Sequence, residues 1–414
     1  MKRVQNNMRP VIPHTSPAAV LILKFGALPA LLAAASPSWS ADLPTFERMQ
    51  PLADKGETSA SVSLGDIDGD GDLDIVLARG RHWPLDNLIL RNDGKGRFTT
   101  EKLPAEADRT YSAALADLDG DGTLDLVVSN DRPDRKLIYL NDGRGKLRAA
   151  GTFGHPEWPT RCITVADVNG GGYPDIIVAN RSSDPAKPVP CYVCLNDGKG
   201  RFPEEIPLPT QSATIIVAAD LDGDAKIDLF VPHRDGGRSL IFWNDGTGKF
   251  AAPPMPFGPE KSTVRAALAA NMDGDGIIDL VFGDARIGLF IYRGKGGRTF
   301  EEPIPVGEKS GAIYSISVMD MNRDGKPDLV MGRQGARGSI FFNRSHANTL
   351  GFKEALWNDG KGTVYGLALG DLNGDGWPDI VAARSEAPSA IWFSHPPAEN
   401  KSRGARSEDP AGRQ

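Results

Sequence analysis

Asp66-Ile67-Asp68-Gly69-Asp70-Gly71-Asp72-Leu73-Asp74 is the stretch that decides the fold of this chain. Versions of this acidic nonapeptide return at Asp117–Asp125, Asp167–Asp175, Asp220–Asp228, Asn271–Asp279, Asp320–Asp328 and Asp371–Asp379. Their first positions are 51, 50, 53, 51, 49 and 51 residues apart. A fixed period near fifty residues marks a repeat architecture, in which each unit buries its apolar faces only by stacking on its neighbours.

Each period reads as four short strands. A run of small and β-branched residues leads into the loop, as in Ile163–Ala166, and an apolar run leaves it, as in Leu73–Leu77. A third run ends in Asn-Asp-Gly, as in Leu88–Gly94, Leu137–Gly143 and Leu240–Gly246. That tripeptide is turn chemistry, because Asn and Gly accept positive φ. A fourth strand begins near Phe98, Phe202, Phe250 or Phe300. Strands apolar on both faces need cover on both faces. Four-stranded units arranged radially supply it, which predicts an all-β, seven-bladed propeller over residues 44–395. The seventh unit stops after its third strand, at Ala390–Phe393, while Thr45–Arg48 resembles the fourth strand Arg97–Thr100. The N-terminal strand is therefore expected to complete the last blade and close the ring without a free edge.

The seven acidic loops and Asn-Asp-Gly-x-Gly turns resemble the FG-GAP/VCBS repeat family, whose best-known relative is the propeller of integrin α chains. The Phe-Gly…Gly-Ala-Pro signature is not intact in any copy. The resemblance implies Ca²⁺ in the acidic loops and an extracellular or periplasmic setting; it implies no particular ligand.

The residues point to calcium on their own account. Three or four carboxylates within nine residues repel one another unless a cation lies among them, and oxygens at positions 1, 3, 5 and 9 with a carbonyl at 7 suit Ca²⁺. An EF-hand would need an acid at position 12, where this chain has Leu77, Val128, Val178, Val231, Phe282, Met331 and Ala382. Six sites are expected. Their side-chain ligands are Asp66, Asp68, Asp70 and Asp74; Asp117, Asp119, Asp121 and Asp125; Asp220, Asp222, Asp224 and Asp228. The remaining three use Asn271, Asp273, Asp275 and Asp279; Asp320, Asn322, Asp324 and Asp328; Asp371, Asn373, Asp375 and Asp379. Gly171 removes the fifth-position ligand from the Asp167 loop, which is expected to be weak or empty, and Ala225 replaces the turn glycine in the fourth loop. The alternative is a set of solvated acidic turns without metal.

Composition sets the outer bounds. The chain has 414 residues, 24% of them charged and 40% hydrophobic, with three cysteines. This is too globular for a disordered chain, too polar for a membrane bundle and too poor in cysteine for a disulfide framework. Lys2, Arg3 and Arg9 precede the apolar run Ala18–Ala35 and the small residues Ser36–Ala41, the layout of a secretory signal over residues 1–40 with cleavage after Ser40. An uncleaved anchor is the alternative, although Lys24 interrupts the span. The polar tail, residues 396–414, is expected to be disordered. Loss of Lys2, Arg3, Arg9 and Lys24 takes the net charge from −7 to −11, and six calcium ions would bring it to +1. An exported monomer is expected, with no nucleic-acid partner and no membrane span in the mature protein.

Opposite the acidic loops, two columns can be aligned across the blades. Six residues before each loop stand Ala60, Tyr111, Arg161, Thr214, Arg265, Tyr314 and Tyr365. Five residues after each loop's last acid stand Arg79, Asn130, Asn180, His233, Asp284, Arg333 and Arg384. Trp83, Trp158 and Trp357 fall in loops on the same side. Arg binds carboxylate or sulfate bidentately, and Tyr and Trp offer flat stacking area. Ligand contacts are expected from Arg79, Tyr111, Arg161, Arg265, Tyr314, Arg333, Tyr365, Arg384, Trp83 and Trp158, for a glycan or a protein partner. The other reading is that these rim residues merely plug the channel. A uronate lyase is the catalytic alternative and would draw on Arg79, Arg161, Arg333, Tyr314, Tyr365, His82 and His233. An adhesin without a glycan ligand is the third. Cys191 and Cys194 lie on one strand, where i and i+3 point to opposite faces, so core packing is expected and not a redox or zinc pair. No Gly-x-Ser-x-Gly, His-Glu-x-x-His or phosphate loop occurs.

Overall fold

The computed structural model describes residues 43–397 apart from residues 53, 54, 57, 183, 185, 187, 211, 310, 347 and 348. The expected signal segment, residues 1–40, and nearly all of the polar tail lie outside the described residues. Among those described, 28 strands, numbered β1 to β28 along the chain, form seven four-stranded antiparallel sheets. The innermost strands are β2 (Ser59–Gly65), β6 (Thr110–Ala116), β10 (Thr160–Ala166), β14 (Val217–Ala219), β18 (Val264–Ala270), β22 (Ile313–Met319) and β26 (Thr363–Gly370). Each touches the next and β26 touches β2, so the sheets close into a ring. No helix among the described residues is long and apolar enough to cross a membrane.

Closure follows the predicted route. The first strand, β1 (Thr45–Pro51), runs antiparallel to β28 (Ala390–His395), pairing Arg48 with Phe393 and Pro51 with Ala390. Phe46 is buried against Trp357 and Trp392. Packing between blades explains why the strands are apolar on both sides. Seven buried clusters each lie between two neighbouring blades; one unites Val76, Ala78 and Ile89 of blade one with Ala113, Leu126 and Val128 of blade two. The second strand of every blade, such as β3 (Asp74–Arg79), is buried along its whole length.

Two polar devices hold the ring. The ninth-position acid of every loop is buried, and its two oxygens accept backbone N–H groups from two places, the second residue of its own loop and the end of the third strand. Asp125 Oδ2 accepts from Leu118 N at 2.8 Å, and Oδ1 from Asn141 N at 2.8 Å. The turn asparagine then reaches across the seam. Asn141 Nδ2 donates to Ile67 O of blade one at 2.7 Å and to Leu124 O at 3.0 Å. Asn92, Asn196, Asn244 and Asn343 repeat this contact to Leu372, Leu118, Val168 and Met272 of the preceding blade. Gly294 and Ser394 stand in its place in blades five and seven, so the four–five and six–seven seams are built without the amide.

Candidate functional site

The ring presents two chemically different ends, separated by one inner strand, roughly 20 Å. At one end the acidic loops curl around their first carboxylate. Asp66 Oδ1 accepts from Gly69 N at 2.7 Å and Oδ2 from Gly71 N at 3.0 Å. The sixth position needs positive φ, and Ala225 adopts it at 68°, a conformation that costs an L-residue about 1 kcal/mol or more. Carboxylate oxygens of Asp66, Asp68 and Asp70, of Asp117, Asp119 and Asp125, and of Asp220, Asp222 and Asp228 lie within 4.8 Å of one another in each set. Asp68 Oδ1 is buried and has no hydrogen-bond partner, a vacancy in bonding that a hard cation fits. The third loop makes the turn contact common to most of the loops, Asn169 Oδ1 accepting from Gly171 N at 2.7 Å, but has no carboxylate at its fifth position. In the fifth, Arg293 Nη1 lies 3.2 Å from Asp273 Oδ2 and supplies positive charge itself.

At the other end, the first predicted column converges. In six blades its residue is the extra one in a β-bulge: pairing skips Ala60, Tyr111, Arg161, Arg265, Tyr314 and Tyr365. A bulge re-aims a side chain, and here it turns one per blade toward the axis. Together with Thr214 these residues line a cavity of about 240 Å³ to which every blade contributes. Arg81, His82, Arg181 and Arg234 complete the wall. Of these the sequence reading had only His82; Arg181 and Arg234 sit one residue beyond the second column and Arg81 two. Counting one step past the second column would have found Arg181 and Arg234, though not Arg81, since neighbouring residues of an extended chain face opposite ways.

The guanidiniums and phenols interleave. Arg81 lies over the Tyr365 ring at 3.7 Å, Arg161 over Tyr111 at 4.4 Å and Arg265 over Tyr314 at 4.4 Å. Tyr314 and Tyr365 meet edge to face at 4.9 Å. Arg161 pairs with Asp131 at 2.7 Å and Arg181 with Asp235 at 3.0 Å. Burial, then the neighbouring Arg265 and Arg181, push Arg234 down to about 10. Burial raises the Tyr111 and Tyr365 phenols against the pull of Arg161 and Arg81, which keeps both protonated at neutral pH. Burial, with Arg81 and Arg161 nearby, lowers His82 and so favours its neutral ring, which lies 3.1 Å from the Tyr111 hydroxyl. Half-buried Cys162 also lines the wall, with its thiol pushed up by burial to about 11.

The second column lies elsewhere, which corrects its placement with the first. Arg79 Nη1 donates to Asp86 O at 3.2 Å and Arg333 Nη1 to Arg337 O at 3.0 Å. Arg384, 1% exposed, bonds Pro388 O and pairs with Asp359 at 2.6 Å. These three brace strand 2–3 loops. His233 Nδ1 accepts from Gly237 N at 2.9 Å and lies outside the cavity lining. Trp158 is buried and stacks on Tyr192 at 4.0 Å. Trp357 is buried edge-on to Trp392. Trp83 alone of the three is exposed, at 65%, beside the wall residue His82. Cys191 and Cys194 are free and buried on opposite sides of their strand, in different clusters.

Relatives fit this architecture. The chain is 27% identical over 194 residues to cartilage acidic protein 1 of Mus musculus and 28% identical to that of Homo sapiens, matching 42% of this chain. The match spans 28% of those proteins, little more than a quarter of their length. Among solved structures, the BP39L lectin of Burkholderia pseudomallei superposes with TM-score 0.60 at 14% identity, covering 82% of this chain and 99% of that one. An Agrocybe aegerita lectin that recognises non-reducing terminal N-acetylglucosamine gives 0.53 at 17%, covering 79% and 86%. BBS1N, solved in complex with ARL6DN, gives 0.57 at 13%, covering 87% and 98%. At these identities the likeness is one of fold. The FG-GAP-like repeat pattern matches residues 66–128, 117–178, 167–231, 220–282, 271–331 and 320–382, most of the chain, and the chain belongs to that family.

Proposed function

We propose that this protein is an exported propeller, braced by calcium, that binds a polar or acidic glycan at the channel mouth opposite the acidic loops. One observation carries the reading: five arginines and three tyrosines from around the ring face one small cavity. The lectin neighbours support a sugar ligand, and the ARL6DN complex of BBS1N supports a protein partner as the second reading. The lyase alternative is weakened because Arg79, Arg333 and His233 stand apart from the other residues it would use. Export rests on the Lys2–Ala41 leader pattern.

Calcium would be held by the carboxylates of the first, second and fourth loops, and by Asp320, Asp324, Asp371 and Asp375 with their neighbouring asparagines. There it would offset their repulsion and brace the strand 1–2 hairpins. Chelation is then expected to lower the thermal midpoint. Asp371→Ala should remove more of that calcium-dependent shift than Asp167→Ala; equal losses would contradict the ranking of loops. The ligand reading is tested by a glycan array and by incubation with uronate polymers. Retention of acidic glycans without cleavage is the expected result. Unsaturated product would favour the lyase, and capture of no glycan would remove the reading.

A further inference from the structure

We infer that the channel-mouth cavity is an anion receptor, in which the guanidiniums contact the ligand and the tyrosines only position them. This rests on the glycan reading above and narrows it: the ligand enters by a carboxylate- or sulfate-bearing end residue.

Each tyrosine ring already carries a guanidinium. Tyr111 carries Arg161 at 4.4 Å and Arg81 at 5.8 Å, Tyr314 carries Arg265, and Tyr365 carries Arg81. A sugar ring stacking on the same face of these phenols would have to displace a cation held at 3.7–4.4 Å. The guanidinium edges remain for a ligand. Charge points the same way. Among the described residues, Arg81, Arg161, Arg181, Arg234 and Arg265 face carboxylate partners only in Asp131 and Asp235. Three positive charges are left over, and among the described residues Arg81 and Arg265 have no carboxylate within ion-pair distance. Like charges crowded in a half-buried wall repel, and an anion between them relieves the repulsion. Arg81 also holds φ 50°, a strained value for a non-glycine residue, with Nη1 donating to Ser385 Oγ at 3.1 Å. Size limits the guest. At about 240 Å³ the cavity is smaller than the roughly 300–1,000 Å³ usual for ligand pockets, so it takes one residue or a compact polyanion and not a length of chain.

Calorimetry with three probes tests this: sodium sulfate, a uronate-terminated tetrasaccharide and the same tetrasaccharide with its carboxyls reduced. The acidic tetrasaccharide is expected to bind, more weakly at high salt, and the reduced one about tenfold or more weaker, the worth of one charge-assisted contact. Arg265→Gln should lose a similar factor. Tyr314→Phe, which keeps the ring beneath Arg265, should bind as the parent, whereas Tyr314→Leu should weaken binding as Arg265→Gln does; thermal melts check that each variant is folded. Equal binding of the reduced sugar, or indifference to Arg265→Gln, overturns the receptor and leaves the glycan reading standing. Tyr314→Leu behaving as Tyr314→Phe overturns the positioning role. Sulfate binding without tetrasaccharide binding keeps the receptor and removes the glycan, and no binding of either removes both.

Discussion

Replacing Phe46 by alanine is expected to cost about 3–5 kcal/mol, more than any other single change in the first strand. The ring is closed by β1 alone on the outer edge of blade seven, and Phe46 is that strand's buried anchor, packed with Trp357 and Trp392. Removing the ring leaves a cavity at the joint between the two ends of the chain. Once β1 frays, β28 becomes an open edge bearing the apolar residues Ile391, Trp392 and Phe393, which invites association. Denaturant unfolding of Phe46→Ala should therefore show a lowered midpoint, and light scattering should rise early in a thermal ramp. Met49→Ala, on a side chain 41% exposed in the same strand, should stay within about 0.5 kcal/mol. Similar midpoints for the two variants would mean that β1 is an appendage and not the closure.

Asn141→Ala is the second large effect, at about 2–4 kcal/mol. The amide donates two hydrogen bonds, to Ile67 O and Leu124 O, and its loss leaves both carbonyls without that donor at a seam water does not reach well. The neighbouring Asp142 separates clamp from turn. Its carboxylate accepts from Arg144 N and Lys146 N in the exposed part of the same turn, so Asp142→Ala should cost about 1 kcal/mol or less. A result in which the two variants unfold at the same denaturant concentration would show that Asn141 shapes its turn and does not tie blades together.

Much of this was readable along the chain because it is local. The period, the Asn-Asp-Gly turns and the missing strand of the seventh unit each depend on a few adjacent residues. The first column was readable by counting back from Asp66, Asp117 or Asp320 along one strand, although the bulges that aim its residues belong to strand pairing and leave no local mark. What failed was non-local. Arg79 and Arg181 sit a residue apart in the aligned blades, yet one turns into the blade and the other toward the axis. Trp158 looked like a rim platform because nothing near it in sequence shows that Tyr192 covers it. Likewise, the tyrosines read as free stacking surfaces, because Arg81 and Tyr365 come from opposite ends of the chain. The second role of Asn141 was hidden too, its acceptor Ile67 lying in the previous repeat.

The two seams without the amide clamp are joined by other means. Between blades four and five, Arg298 reaches Asp222 at 2.8 Å from a side chain 50% exposed, and between six and seven Arg323 lies over Trp377 at 5.4 Å. Neutral contacts sealed from solvent are indifferent to brine, whereas exposed ionic ones fade as the Debye length shortens. Five seams thus carry a neutral clamp indifferent to the surrounding electrolyte, while blades five and six meet the rest of the ring without it, through contacts among which the exposed Arg298–Asp222 pair weakens as salt rises.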